Sequence, residues 1–335
     1  MILSGTGTTN SGTRRRAGFA ALLACVTAVA VAMPSAAAAG GDGTTTATIT
    51  TQVFDRATGA PVGKVCVLAI SVYTTGVPQV CPARSGGGGR VTVPVSEPGS
   101  YNLFVLPNVD SPYGAQWVGP TGGTGTQLDA RRITLAVGES KRAPKVLLDP
   151  RATISGQVTA ETGAIVGGVA DLFTPSAITG HSPRQVPLDG DGSFSIDWAG
   201  PYGWPVVFRG DNIAQQWSGP VATRRRADLA PATVGDPEPV SYHLRTGAQI
   251  TVTVPDVPLR TDRRLVFFHS SSRGLAGAVS IDSDATTATQ LISGGQHIKI
   301  QCLCDGTVRW YGGGTSIEKA RSVNVSHRGV LHLTM

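Results

Sequence analysis

The sequence is 335 residues long, with 28 basic and 22 acidic residues and a charged content of only 15%. It carries 43 glycines and 22 prolines, and no amphipathic helical stretch of useful length follows residue 40, which argues against a mainly helical fold. The first arginines lie in a leader, and without them the balance is 25 basic against 22 acidic residues, too mild to suggest nucleic-acid binding.

The chain opens with Arg14, Arg15 and Arg16, an uncharged apolar run from Ala17 to Met33, and small residues from Ser35 to Ala39. This is the layout of a signal peptide over residues 1–39. No second candidate span follows, so a secreted, extracellular product without a stable membrane span is expected, with a retained N-terminal anchor as the alternative. Leu22-Leu23-Ala24-Cys25 has the form of a lipoprotein box, but it stands too close to Arg16 for a full h-region. The paired arginines also match a twin-arginine signal weakly, and the export route stays open.

Beyond the leader, short runs of period two are broken every few residues by Gly, Pro, Asp or Asn, the pattern of an all-β sandwich or barrel. Strands are expected at 48–53, 62–72, 90–95, 101–106, 133–137 and 145–148. In the second of these, Cys66, Leu68 and Ile70 face one way and Val65, Val67 and Ala69 the other, which suits a strand near an edge or a barrel closure. A second unit opens at Arg151. It contains the Asp-Gly-rich hairpin candidate 188–196 and a strand at 202–208, in which Pro205 argues against full pairing. A third begins near Gly247, with strands at 248–254, 265–269, 296–302 and 308–311. The alternating tail 322–334 is expected to be paired, because its apolar face needs a sheet to cover it.

The units are copies of one another. Tyr101, Tyr202 and His297 hold one position of the repeat. Trp117, Trp217 and Trp310 hold another, 100 and 93 residues apart. Spacing of this size marks tandem domains, here 45–149, 150–245 and 247–335. The joins 148–150 and 245–247 are short, so a semi-rigid rod is expected, and a closer packing of the domains stays open.

Four cysteines remain after the leader. Cys66 and Cys81 would close a 15-residue loop, for which chain entropy gives about 3 kcal/mol. Cys302 and Cys304 would stand about 6.6 Å apart in an extended strand, at the outer limit for a bridge. Free thiols or an intermolecular bond are the alternatives for that pair. No nearby histidine completes a metal set, and no cofactor is expected. The three tryptophans read as packing residues under the following turn, with a carbohydrate platform as the alternative. Arg131-Arg132 and Arg224-Arg225-Arg226 read as solvated surface, with an anionic ligand site as the minor reading. Asp189 to Gly192 lacks most of a calcium loop, and the histidines fall in no catalytic spacing.

The ISGQVT…TG…GGVADLF opening at 154–173 and the PGSY segment at 98–101 resemble carboxypeptidase regulatory-like and collagen-adhesin B-type domains. The later AQW and Gly-Pro elements are similar to versions repeated in secreted proteins of high-GC Gram-positive bacteria. The resemblance implies three tandem prealbumin-like (Ig-like) β-sandwiches with no enzyme activity. It implies a stalk, an adhesion unit or an accessory to an extracellular enzyme, with an extracellular protein or polysaccharide as partner. Some relatives form Lys–Asn isopeptide bonds. Lys64 is the candidate lysine in this chain, without an assignable Asn and acid.

Overall fold

The computed structural model describes residues 46–72, 80–174, 184–254, 263–304 and 306–335. The leader at 1–39 lies outside them. Among the described residues no helix is long and apolar enough to cross a membrane. The two helical segments there are the 3-10 turns Gln127–Asp129 and Arg224–Arg226.

The first sheet is centred on Ala47–Asp55, whose side chains alternate between buried and half-buried. This strand runs antiparallel to Arg90–Val95 and parallel to Ser140–Arg142 and Val146–Leu148. The facing sheet is centred on Gly99–Leu106, antiparallel to Cys66–Ser71, Gln116–Val118 and Ile133–Leu135. Ile49, Val53, Val93, Val67, Leu103 and Val105 fill the space between them. Two inner faces interdigitating in this way make a β-sandwich core.

The scheme recurs twice. Ala152–Ala160 is flanked by antiparallel Ser193–Ala199 and parallel Val240–Leu244. Ala248–Thr253 is flanked by antiparallel Thr287–Ile292 and parallel Val330–Thr334. In the opposing sheets, Val207–Gly210 lies between Val169–Asp171 and Ile213–Trp217. Likewise Gln296–Leu303 pairs with Arg264–His269, Val308–Trp310 and Val323–Val325. In each copy the repeat tryptophan sits on the strand that follows the central one and pairs with it: Trp117 opposite Phe104, Trp217 opposite Val207, and Trp310 opposite Gln301.

Several local readings change. The turn at 189–192 forms, with Asp189 N–H donating to Ser193 O at 2.9 Å and Gly192 at φ +84°. Its flanking strands do not form a hairpin with each other. Ser193–Ala199 pairs with Ala152–Ala160, whereas Val186–Pro187 pairs with Val169–Asp171, so the turn carries the chain between sheets. Pro205 ends the short strand Gly203–Pro205, which pairs with Leu229–Pro231. The chain then moves to the neighbouring sheet at Val207. The tail Val330–Thr334 is paired along the opening strand of the third copy. Strands at Leu275–Ser280 and Thr287–Ile292 fall in a stretch where the sequence pattern suggests none.

The interior does not divide at residue 149. Cys66, Leu68, Ile70, Phe104 and Trp117 of the first copy belong to the same buried cluster as the core of the second. That explains the two-sided strand Cys66–Ser71: Val65 and Val67 face the sandwich interior, while the alternate residues face the next repeat. The third copy keeps a separate apolar cluster.

Candidate functional site at the repeat junctions

Aromatic rings build the first junction. Phe173 of the second repeat is 2% exposed. It stands edge-on to Phe104 at 4.8 Å and tilted to Trp117 at 5.9 Å, geometries that the ring quadrupoles favour. The backbones meet directly beside this cluster. Ala115 N–H donates to Trp198 O at 2.9 Å, and Gly200 N–H donates to Ala115 O at 2.8 Å. A Cβ on Gly114 would come within 2.2 Å of Ala199 O, so only glycine permits this approach.

A polar network closes the same junction. The Asp149 carboxylate accepts from Arg56 Nε at 2.6 Å, from Arg56 Nη2 at 2.9 Å and from the Tyr202 hydroxyl. Burial, followed by the hydrogen bond to Asp149, pushes the Tyr202 phenol well above its ordinary pKa, so it donates throughout the physiological range. Tyr101, which shares its repeat position, does something different. Its hydroxyl donates to Glu97 O at 2.8 Å on the surface.

Both linkers are held by the glutamine that precedes the repeat tryptophan, a role that sequence patterning does not reveal. Gln116 is fully buried. Its amide donates to Leu147 O at 2.8 Å and accepts from Asp149 N–H at 3.3 Å. Gln216, equally buried, donates to Arg245 O at 2.5 Å and accepts from Arg245 N–H at 3.0 Å. In the third repeat, Arg309 occupies this place. The mark it leaves in the sequence is the shared Gln-Trp pair at 116–117 and 216–217.

The second junction is more polar. Ala214 N–H donates to Thr246 O at 2.9 Å and Gln215 Nε2 to Leu275 O at 2.8 Å. Glu161 pairs with Arg328 of the C-terminal segment at 3.0 Å. That hydrogen bond, with a second from Thr246 N–H, holds the Glu161 carboxyl below its ordinary pKa.

The two arginine clusters are brought together. Arg132 of the first repeat, Arg224 and Arg225 of the second, and Ser271 and Ser272 of the third line one cavity of about 250 Å³. Arg225 and Arg226 continue into an adjoining cavity of about 820 Å³ with Ser270, Ser322 and His297. Arg224 donates to Gln127 Oε1 and lies over the Trp217 ring at 6.0 Å. Burial pushes its pKa down to about 10, so it keeps its charge at neutral pH. His269 is 4% exposed and lines the smaller cavity. Its Nδ1 meets Gln296 Oε1, and its Nε2 has no hydrogen-bond partner.

Trp117, Trp217 and Trp310 are 2%, 1% and 8% exposed, so their rings do not form an open platform. Cys66 and Cys81 are bridged, with Cα atoms 5.8 Å apart. Cys302 and Cys304 are also paired, with Cα atoms 5.3 Å apart. They stand closer than an extended strand allows because the strand ends at Leu303. Lys64 is exposed and precedes its strand, in the left-handed region at φ +63°. Among the described residues no three His, Cys, Asp or Glu side chains gather as a metal set.

No family model matches the chain, and no curated protein matches it. Among solved structures it aligns with the Bacillus anthracis TIE protein at 6% identity, over 87% of this chain and 50% of that one, with a TM-score of 0.22. A streptococcal ancillary pilin aligns at 14% identity over 60% of this chain and 63% of that one, with a TM-score of 0.23. The major pilin subunit of Bacillus cereus, BcpA, aligns at 9% identity over 86% and 99%, with a TM-score of 0.20. The chain thus spans half of the first protein and under two thirds of the second. Superpositions this loose carry no argument about the chain, and the all-β, repeated two-sheet architecture rests on its own strand pairing.

Proposed function

We propose that the chain is an exported, non-catalytic protein of structural or adhesion type. In this reading residues 1–39 are a cleaved signal. Three prealbumin-like sandwich domains follow at 45–149, 150–245 and 247–335. Their task is to present surface loops in fixed relative positions to an extracellular protein or polysaccharide. The observation that carries the reading is the construction of the junctions: shared aromatic packing at the first, and a buried glutamine holding the linker at both. Flexibly tethered modules need neither, because linker composition alone sets their reach. Fixed geometry is useful to a display protein, since immobilising loops in advance removes an entropic cost from partner binding.

The test is made on the native producer. N-terminal sequencing of the exported chain is expected to find a start close to Gly40, and antibodies are expected to label intact cells or the medium. A chain confined to the cytosol with Met1 retained would refute the reading.

A further inference from the structure

We propose that the groove between the second and third repeats, reaching Arg132 of the first, binds an anionic sugar or polyol polymer bearing carboxylate or phosphate groups. This extends the display reading by assigning the ligand chemistry and the place where it binds.

The charge argument comes first. The two adjoining cavities share Thr223, Arg225 and Ser271, so they form one continuous groove. Arg132, Arg224, Arg225 and Arg226 all line it, and among the described residues no carboxylate does. Arg132, Arg225 and Arg226 are exposed and make no ion pair among the described residues. Like charges from two repeats gathered without a counter-charge give the groove a positive potential that attracts anions. The guanidinium fork matches carboxylate and phosphate oxygens in bidentate fashion.

The remaining lining selects among anions. The hydroxyls of Thr223 and Ser271, and the mutually hydrogen-bonded pair Ser270 and Ser322 at 2.8 Å, stand beside the arginines, where they can meet the hydroxyls of a sugar or polyol. Among the described residues no exposed aromatic ring lines the groove, and stacking on such rings is what single-stranded nucleic-acid grooves supply. A combined volume larger than one small anion requires favours a chain with repeated charges.

The test uses the mature chain in low salt against three probes: polygalacturonate, poly(glycerol phosphate) and neutral dextran. Binding is expected to at least one polyanion and not to dextran, and to weaken steeply as salt rises. The first two probes distinguish a carboxylate from a phosphate source. The double variant Arg225→Gln/Arg226→Gln removes exposed groups and is expected to melt like the parent, yet bind about tenfold or more weakly. Arg142→Gln, at an exposed position that lines neither cavity, is expected to bind normally. Equal binding by the double variant, equal binding to dextran, or no binding to either polyanion would overturn the proposal. The export and display reading is judged separately, by the N-terminus and by labelling of intact cells.

Discussion

Replacing Phe173 by alanine is the sharpest probe of the shared interior. The ring is buried against Phe104 and Trp117 of the preceding repeat, so truncation removes apolar surface from both repeats at once. A buried Phe→Ala change costs about 3–5 kcal/mol, of which each aromatic pair contributes about 0.5–1.5 kcal/mol beyond area burial. Urea unfolding of the mature chain measures the loss. A double-mutant cycle with Phe104→Ala isolates the pair and should return a coupling of about 1 kcal/mol. Hydrogen exchange locates the effect: amides of Arg90–Val95 in the first repeat and of Ala152–Ala160 in the second should lose protection together. A loss below about 1 kcal/mol, a coupling of zero, or deprotection confined to the second repeat would refute the reasoning.

Further outcomes follow from the same contacts. Gln216→Ala leaves Arg245 N–H and C=O without their buried partner and should cost about 1–3 kcal/mol, read as a lower urea midpoint; an unchanged midpoint would remove the glutamine's clamping role. Gly114→Ala forces a methyl group against Ala199 O and should cost about 1–3 kcal/mol, with the loss shared by both repeats in hydrogen exchange. Reducing or replacing Cys81 opens the 15-residue loop and should cost about 3 kcal/mol, measured by thermal melting with and without reductant. Acid should weaken the second junction. The Glu161 pKa is lowered in the folded chain by Arg328 and Thr246, so its contribution is full above the ordinary carboxylate pKa and is lost as pH falls through the depressed value. Melting profiles below about pH 4 should therefore differ between the parent and Glu161→Gln; identical acid profiles would contradict the assignment.

The repeat, the β class and the four cysteines are legible in the sequence because each leaves a local mark. Tryptophan recurs at similar intervals of 100 and 93 residues, period-two alternation is interrupted by glycine and proline, and cysteine is chemically distinct. The strands at 275–280 and 287–292 are not legible. The first, LAGAVS, is built largely of small residues that give no strong alternation, and its place is set by pairing with Arg264–His269. The 188–196 segment announces its turn but not its lack of a hairpin, because Asp-Gly chemistry fixes the local bend and not which sheet each arm joins. The junctions are least visible. Phe173 and Phe104 are ordinary apolar residues in sequence, and only the docking of one repeat's sheet onto the next shows that they share an interior. The arginine clusters illustrate the same limit: Arg132 and Arg225 are separated by a full repeat in sequence and line one cavity in space.

Differential scanning calorimetry of the mature chain tests most directly whether the first two repeats share one interior. At about 0.7 kcal/mol per residue near 60 °C, residues 47–244 unfolding as one unit give a van't Hoff enthalpy of about 140 kcal/mol. A transition of that size, with the third repeat melting alongside or apart from it, is the expected result. Separate transitions of about 70 kcal/mol each for the first and second repeats would show that they are independent bodies and would contradict the account.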